Sequence, residues 1–510
     1  MISAIRHTAR LMRIGYVLAR HDALFPFYQA PTPSFIRGCA KSAAWLLRKR
    51  DADGRPGERL AEALTTLGPS FIKLGQTLST RTDLFGAQVA DDLALLQDRL
   101  PPFPGDIAFK TIETELGKPV TELFAKIEPK AIAAASIAQV HLAETTDGRA
   151  VAVKVLRPGV EQAFERDIAM LRWLAHWAWR ISRKGRRLKP VEVVEAFAET
   201  VRAEMDLRLE AAAASELGDN FRDADDFDTP EIDWARTGRR VLTLERVSGA
   251  RVDNMEALDA KGHDRHAIMR IAAGAFFRQV FEHGFFHADM HPGNVFVRDD
   301  GGLMVIDFGI MGRLDRTTRE YLADMLLGML TRDYELVADV HFRAGYVPAH
   351  QSRAAFSQAV RSIAEPILGK PLHEISLGRL LQQLFQITEA FEMETQPQLL
   401  LLQKTLLMAE GMGRRLDPTV NMWTLSQPLI EEWMRDHRGP EARVAGVLAD
   451  VGDAALRLPR VVARMEAMLD ERIGNPTMPS NRQQPNRSLF RQWQFWAIVA
   501  IGGWGAYFLS

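Results

Sequence analysis

Two polar clusters bracket a short apolar stretch near the middle of the chain, and their spacing limits what the surrounding polypeptide can fold into. The first is His287-Ala288-Asp289-Met290-His291-Pro292-Gly293-Asn294, and the second is Asp307-Phe308-Gly309. Asp289 and Asn294 stand five residues apart, and Asp307 follows thirteen residues after Asn294. Between them lie Val295-Phe296-Val297, a polar turn Arg298-Asp299-Asp300-Gly301-Gly302, and Leu303-Met304-Val305-Ile306. This reads as a tight hairpin of two apolar strands. A hairpin returns the chain, so that Asn294 and Asp307 meet at one end, as a shared cation requires. An Asp that orients a nucleophile, with an amide and a second carboxylate holding magnesium on nucleotide phosphates, is the apparatus of phosphoryl transfer. Either cluster alone would pass for an ordinary turn; the two together at this separation do not.

The stretch Ala131-Ile132-Ala133-Ala134-Ala135-Ser136-Ile137-Ala138-Gln139-Val140-His141-Leu142 begins as an alanine-rich loop and continues as an alternating strand. After the turn Thr146-Asp147-Gly148, a second strand, Ala150-Val151-Ala152-Val153-Lys154-Val155, carries one lysine. The pair looks like a kinase's phosphate loop and the strand whose lysine pairs with the α- and β-phosphates. Alanines at 133, 134, 135 and 138 stand where glycines are expected. Each Cβ restricts how closely backbone N–H groups approach phosphate, so the phosphates should sit differently from those in an ordinary kinase.

Residues 160–181 read as an apolar helix, followed by a basic loop from Arg180 to Lys189. A long helix over about residues 191–217 carries Glu204-Met205-Asp206 and Glu210, and either Glu204 or Glu210 could pair with Lys154. Val241-Leu242-Thr243-Leu244 reads as a strand entering an inter-lobe hinge, where the backbone near Glu245 and Val247 would read adenine. A helix over 265–284 ends at Gly284, a C-cap residue. From Thr317 to about Met468 the pattern is helical, and the leucine runs at 399–402 and 406–407 suit a buried helix broken by Gln403-Lys404.

Ahead of the strands, residues 56–100 and Ile107 to Phe124 read as helices around the breaker Pro101-Pro102-Phe103-Pro104-Gly105. Residues 1–50 are basic, with Ile5, Leu11, Met12, Tyr16, Val17 and Leu18 on one broad helical face. Such a start suits a transit peptide, a helix on an anionic membrane surface, or a helix packed on the domain. At the other end, Gly474 to Arg487 reads as a linker, and Trp493 to Leu509 is almost wholly apolar with aromatics near both ends. Arg482, Arg487 and Arg491 precede that segment, which places the catalytic part on the cytoplasmic side of a single anchoring helix. Gly502, Gly503 and Gly505 would allow two such helices to pair, and with them a homodimer.

The formal net charge of −1 gives no field to recruit nucleic acid. The single cysteine, Cys39, excludes an intramolecular disulfide and a thiolate-only metal site, and the thirteen histidines show no His-Glu-x-x-His spacing.

Taken in order, Lys73-x-Gly75-Gln76, the alanine-rich loop, Glu204-x-Asp206, His-x-Asp-x-His-Pro-Gly-Asn and Asp-Phe-Gly resemble the UbiB family of atypical kinase-like proteins, also called the aarF-domain family. The resemblance implies an α+β, protein-kinase-like two-lobed fold with an N-terminal helical extension and a C-terminal transmembrane helix. The boundaries are a basic region 1–55, an extension 56–130, an N-lobe 131–250, a helical C-lobe 251–473, a linker 474–488 and a membrane segment 489–510. It implies Asp289 as the catalytic Asp, Lys154 paired with Glu210, and Asn294 and Asp307 as ligands of Mg2+. ATP would lie against Ala133, Ala134, Ala135, Ser136, Ile137, Ala138, Lys154, Glu210, Glu245 and Val247. Lys73 and Gln76 would belong to an extension that folds over the active site and faces Glu204 and Asp206. The family loop carries Gly where this chain has Ala138. The activity implied is that of a membrane-anchored ATPase or phosphotransferase supporting ubiquinone biosynthesis at a bacterial inner membrane. Its partners would be isoprenoid or quinone lipid intermediates, membrane phospholipids and the enzymes of that biosynthesis. A protein kinase acting in trans and a nucleotide-binding scaffold are the other readings.

Overall fold

The computed structural model describes residues 2–25, 54–79, 100–181, 190–366 and 397–417, with scattered residues between them. The basic loop after Ile181, the linker and the apolar C-terminal segment lie outside the described residues. Among the described residues no helix is long and apolar enough to cross a membrane.

The extension opens with α1 (Ile2–Arg20), followed by α2 (Pro56–Leu67) and α3 (Pro69–Ser79). Gly68, at φ 108°, separates the last two, so the expected helix from residue 56 is divided. Helix α1 buries Ile14, Val17 and Leu18 in the main core, whereas Met12 is 66% and Tyr16 46% exposed. The broad face expected of α1 is therefore too broad. Met12 and Tyr16 form one i, i+4 row and Ile14 and Leu18 another, two residues or about 200° round the helix. Arg10 ties α1 to Asp167, Nε to Oδ1 2.9 Å, so at this end the helix is packed on the domain.

After the proline break comes α4 (Gly105–Leu116), which stops at left-handed Gly117. The helix expected to run to Phe124 instead gives way to a single turn, Val120–Leu123, and then β1 (Phe124–Ile127). With β2 (Ala133–Ala134), β3 (Ala138–Thr145), β4 (Ala150–Leu156) and β6 (Val241–Glu245), β1 builds a five-stranded antiparallel sheet in the order β1-β3-β4-β6, with β2 against β3. Val151, Val153 and Val155 pack with Ala108 and Ile112 of α4. Strand alternation then sends Lys154 to the opposite face.

Across that face run α5 (Val160–Ile181), α6 (Pro190–Glu204) and α7 (Leu207–Asn220). The one long helix expected over 191–217 is two. Asp206 is the N-cap of α7 and accepts from Arg208 N at 3.2 Å, the use to which an Asp side chain is better suited than to a helix interior.

The second lobe begins with β5 (Phe227–Asp228) and β7 (Ala250–Arg251), which join β9 (Val295–Val297) and β10 (Leu303–Val305) in the order β5-β10-β9-β7. Helices α8 (Met255–Ala260) and α9 (Arg265–Phe277) follow β7. Helix α9 continues as a π turn, Arg278–His283, and ends at Gly284 with φ 63°. Then come β8 (Phe285–His287) and its antiparallel partner β11 (Met311–Arg313). Helices α10 (Arg316–Leu330), α11 (Tyr334–Arg343), α12 (Arg353–Ala364) and α13 (Pro397–Leu416) complete the lobe.

Candidate functional site

The expected hairpin forms in register Val295 with Val305, and Ile306 N donates to Asn294 O at 2.9 Å. That closure brings the residue before Asp307 onto Asn294. Asp307 adopts φ 66°, a left-handed conformation that Asp tolerates better than most side chains. Phe308 turns into the core and meets the His287 ring edge-on, with centroids 5.6 Å apart.

His287 organises the loop. It is fully buried and donates through Nε2 to Ile306 O at 3.2 Å, while Nδ1 accepts from Asp289 N at 3.1 Å. Burial holds its pKa below the ordinary histidine range, so the ring is neutral with its proton on Nε2. Buried Gln279, on the π turn, accepts from His287 N at 2.9 Å. Asn294 Nδ2 donates to Asp289 O at 3.2 Å. The Asp289 main chain is thus held at both its N–H and its C=O. With Nδ2 so used, Asn294 Oδ1 is left as a hard oxygen donor at the end of the hairpin that leads into Asp307. Such a pair suits magnesium, which takes one or two protein oxygens and completes its shell with phosphate and water.

Lys154 Nζ lies 2.7 Å from Glu210 Oε1 and 3.1 Å from Asp307 Oδ1. Of the two glutamates open to it in sequence, Glu210 is the partner. Burial pushes Glu210 up, against the pull of Lys154. The lysine draws Asp307 down. Burial alone would lower Lys154, but Asp307 and then Glu210 outweigh it and hold the ammonium well above the ordinary lysine range. Glu210 is buried, while the Asp307 side chain remains 49% exposed, open to a ligand.

The alanine-rich loop closes as a tight turn, Ala135 N to Ala138 O at 2.7 Å, after Ala133 and Ala134 pair with Val140 and Gln139. Ser136 and Ala138 are buried, and Ala138 pairs with Leu156 as an ordinary strand residue. Arg157, unremarked in the sequence, secures the loop. Its N–H donates to Ile137 O at 2.7 Å, and its Nε donates to Ala135 O at 2.9 Å. The same guanidinium reaches Pro101 O at 2.9 Å, and Gln139 exchanges two hydrogen bonds with the Phe103 main chain. The proline break is thereby stapled to the loop.

At the hinge, Glu245 N donates to Glu231 O at 2.8 Å and Arg246 N to Ala150 O at 3.0 Å, so both N–H groups are engaged within the protein. Val247 N has no hydrogen bond among the described residues.

Lys73 on α3 meets Glu204 at the end of α6, Nζ to Oε2 2.7 Å, so the extension does face the acidic motif. Gln76 Nε2 donates to Leu96 O at 3.5 Å. A side chain at Gly75 would collide with Leu64 and Leu96, which explains a glycine within a helix here. Asp206 diverges from Glu204: its carboxylate caps α7 and pairs with Arg208 at 2.6 Å.

One cation at the site escaped sequence reasoning. Lys404 of α13 places Nζ 2.7 Å from Asp289 Oδ1. The only signal was the polar pair Gln403-Lys404 interrupting a leucine run, which reads equally well as the solvent edge of a buried helix.

Two family models match the chain: the ABC1 atypical kinase-like domain over residues 95–341 and the UbiB helical domain over 360–421. A probable protein kinase UbiB of Marinobacter nauticus is 41% identical, covering 97% of this chain and 92% of the relative. One from Pseudomonas putida is 39% identical, covering 97% and 91%. The solved Rv3197-erythromycin complex from Mycobacterium tuberculosis shares the fold. Its TM-score is 0.52 at 24% identity, over 72% of this chain and 93% of that one.

Proposed function

The chain belongs to the UbiB family of ABC1 atypical kinase-like proteins, and from that premise we propose that it is an ATP-dependent phosphotransferase or ATPase supporting ubiquinone biosynthesis at a membrane. The observation that carries the reading is the convergence of Lys154, Glu210 and Asp307 beside a loop in which Asp289 and Asn294 are tied together. ATP is the substrate, with its α- and β-phosphates drawn to Lys154. Magnesium, when bound with it, neutralises charge on the phosphate oxygens. Asn294 Oδ1 and the Asp307 carboxylate would hold that ion, and Glu210 keeps Lys154 extended toward the phosphates. Asp289 takes the proton from the acceptor's O–H as the new O–P bond forms. The bond between the γ-phosphorus and the β–γ bridging oxygen breaks, and its electron pair leaves on ADP.

The acceptor is water or a lipid-like hydroxyl. The Lys73–Glu204 pair supports this over a protein substrate in trans, since it holds α3 beside the cleft where a bulky acceptor would dock. Isoprenoid or quinone intermediates are too apolar to diffuse in water. Nucleotide turnover at the membrane surface would then serve their extraction, or the assembly of the enzymes that modify them. The catalytic part would face the cytoplasm.

The test uses the full chain with Mg-ATP, with and without anionic vesicles and a phenolic quinone precursor. Turnover is expected, with stimulation by the additions and loss of both turnover and cellular quinone in Asp307→Asn. No turnover under any of these conditions, or full quinone production by Asp307→Asn cells, would overturn the proposal.

A further inference from the structure

The Asp289 carboxylate has two oxygens with different surroundings. Oδ1 accepts from Lys404 Nζ at 2.7 Å, while Oδ2 has no hydrogen bond to the protein among the described residues. With the main chain already held by His287 and Asn294, the contact with Lys404 restrains the side chain's remaining rotation about χ1 and χ2. Lys404 is itself braced. Leu402, two residues earlier on α13, is buried in one cluster with Phe281, Phe286 and Ala288. Thr405, the next residue, is fully buried and bonds back to Leu401 O at 2.9 Å. The cluster includes the residue adjoining Asp289, so α13 and the catalytic loop share one packing unit. The ion pair is partly accessible, with side chains 33% and 29% exposed, and holds two mutually attracted charges beside the place where phosphate would arrive.

We propose that Lys404 is a positioning residue for the phosphoryl transfer, supplied in cis by the downstream helix α13, which fixes Asp289 through Oδ1 and leaves Oδ2 to receive the acceptor's proton. The matched UbiB helical domain spans residues 360–421, which gives that domain a direct hand in the chemistry. The inference rests on the phosphotransferase reading above. A base within reach of its proton but free to turn away loses part of the advantage of a fixed geometry.

The test compares Lys404→Met, Lys404→Arg and the unaltered full chain in Mg-ATP turnover, nucleotide affinity and thermal midpoint. Lys404→Met is expected to lower kcat about 10- to 100-fold while the KM for ATP and the midpoint stay near the unaltered values. Lys404→Arg, which keeps the charge and a donor within reach, is expected to recover most of the loss. A kcat within about twofold of the unaltered chain in Lys404→Met would overturn the inference, as would a loss wholly explained by a fallen midpoint. Silence of the unaltered chain would overturn the phosphotransferase reading itself, and the inference with it.

Discussion

At the scale of single residues, the site is built from charges that cannot be removed one at a time. Lys154 serves two carboxylates, and Glu210 is buried. Lys154→Met would leave Glu210 without its counter-charge and should cost about 3 kcal/mol in denaturant unfolding. Adding Glu210→Leu should recover much of that, because the stranded charge is gone; a double variant less stable than the single would refute the account. His287 supplies a pH dependence. Burial holds its folded pKa below the ordinary 6.5, and the same cause lowers those of His141 and His341. The unfolded chain therefore takes up protons first as pH falls. These histidines' contribution to stability should be lost as pH falls below about 6.5, and His287→Gln should make the decline between pH 6.5 and 5 shallower, leaving the share of His141 and His341, when unfolding is followed at each pH. Lys154, Asp289, Asn294 and Asp307 stood out in the sequence because their spacing is set by the chemistry, whereas spacing left Glu204 and Glu210 as equal partners for Lys154. Arg157 and Lys404 did not stand out, because a lone cation on a strand end or helix face has the same local signature whether or not it reaches a partner far along the chain.

At the scale of elements, periodicity recovered the strands β3, β4, β6 and the β9–β10 hairpin, and it misjudged where helices stop. The division between α6 and α7 is the instructive case. Apolar spacing continues across residues 204–207, and only the capping geometry of Asp206 reveals the break. That geometry separates two acidic residues of one motif into different tasks, Glu204 toward Lys73 and Asp206 toward the first turn of α7. Asp206→Ala should therefore lower stability by about 1 kcal/mol, and Asp206→Asn, still able to cap, by much less. Equal losses in the two variants, measured by denaturant unfolding, would mean that the charge and its Arg208 partner matter more than the cap. Strand β1 was missed for a related reason. Its four residues, of which only Phe124 is buried, are too short to show a period, and they are ordered by pairing with β3 rather than by their own pattern.

At the scale of the whole molecule, three lysines from three separate regions converge on the cleft carboxylates: Lys73 from the extension, Lys154 from the sheet and Lys404 from α13. The field of Lys73 adds to that of Lys154 in drawing Asp307 down, so the extension is felt at Asp307 itself. An ion pair that ties α3 to α6 within the field of Asp307 should govern how quickly nucleotide enters and leaves more than how tightly it is held. Lys73→Ala and Glu204→Ala are each expected to speed association and dissociation of a fluorescent ATP analogue by a similar factor. Because the two residues act through one contact, the double variant should be no faster than either single one. The rates are read by stopped flow on the full chain. Fully additive effects would show that Lys73 and Glu204 act separately, and that α3 is held by its apolar packing against Leu64 and Leu96 instead.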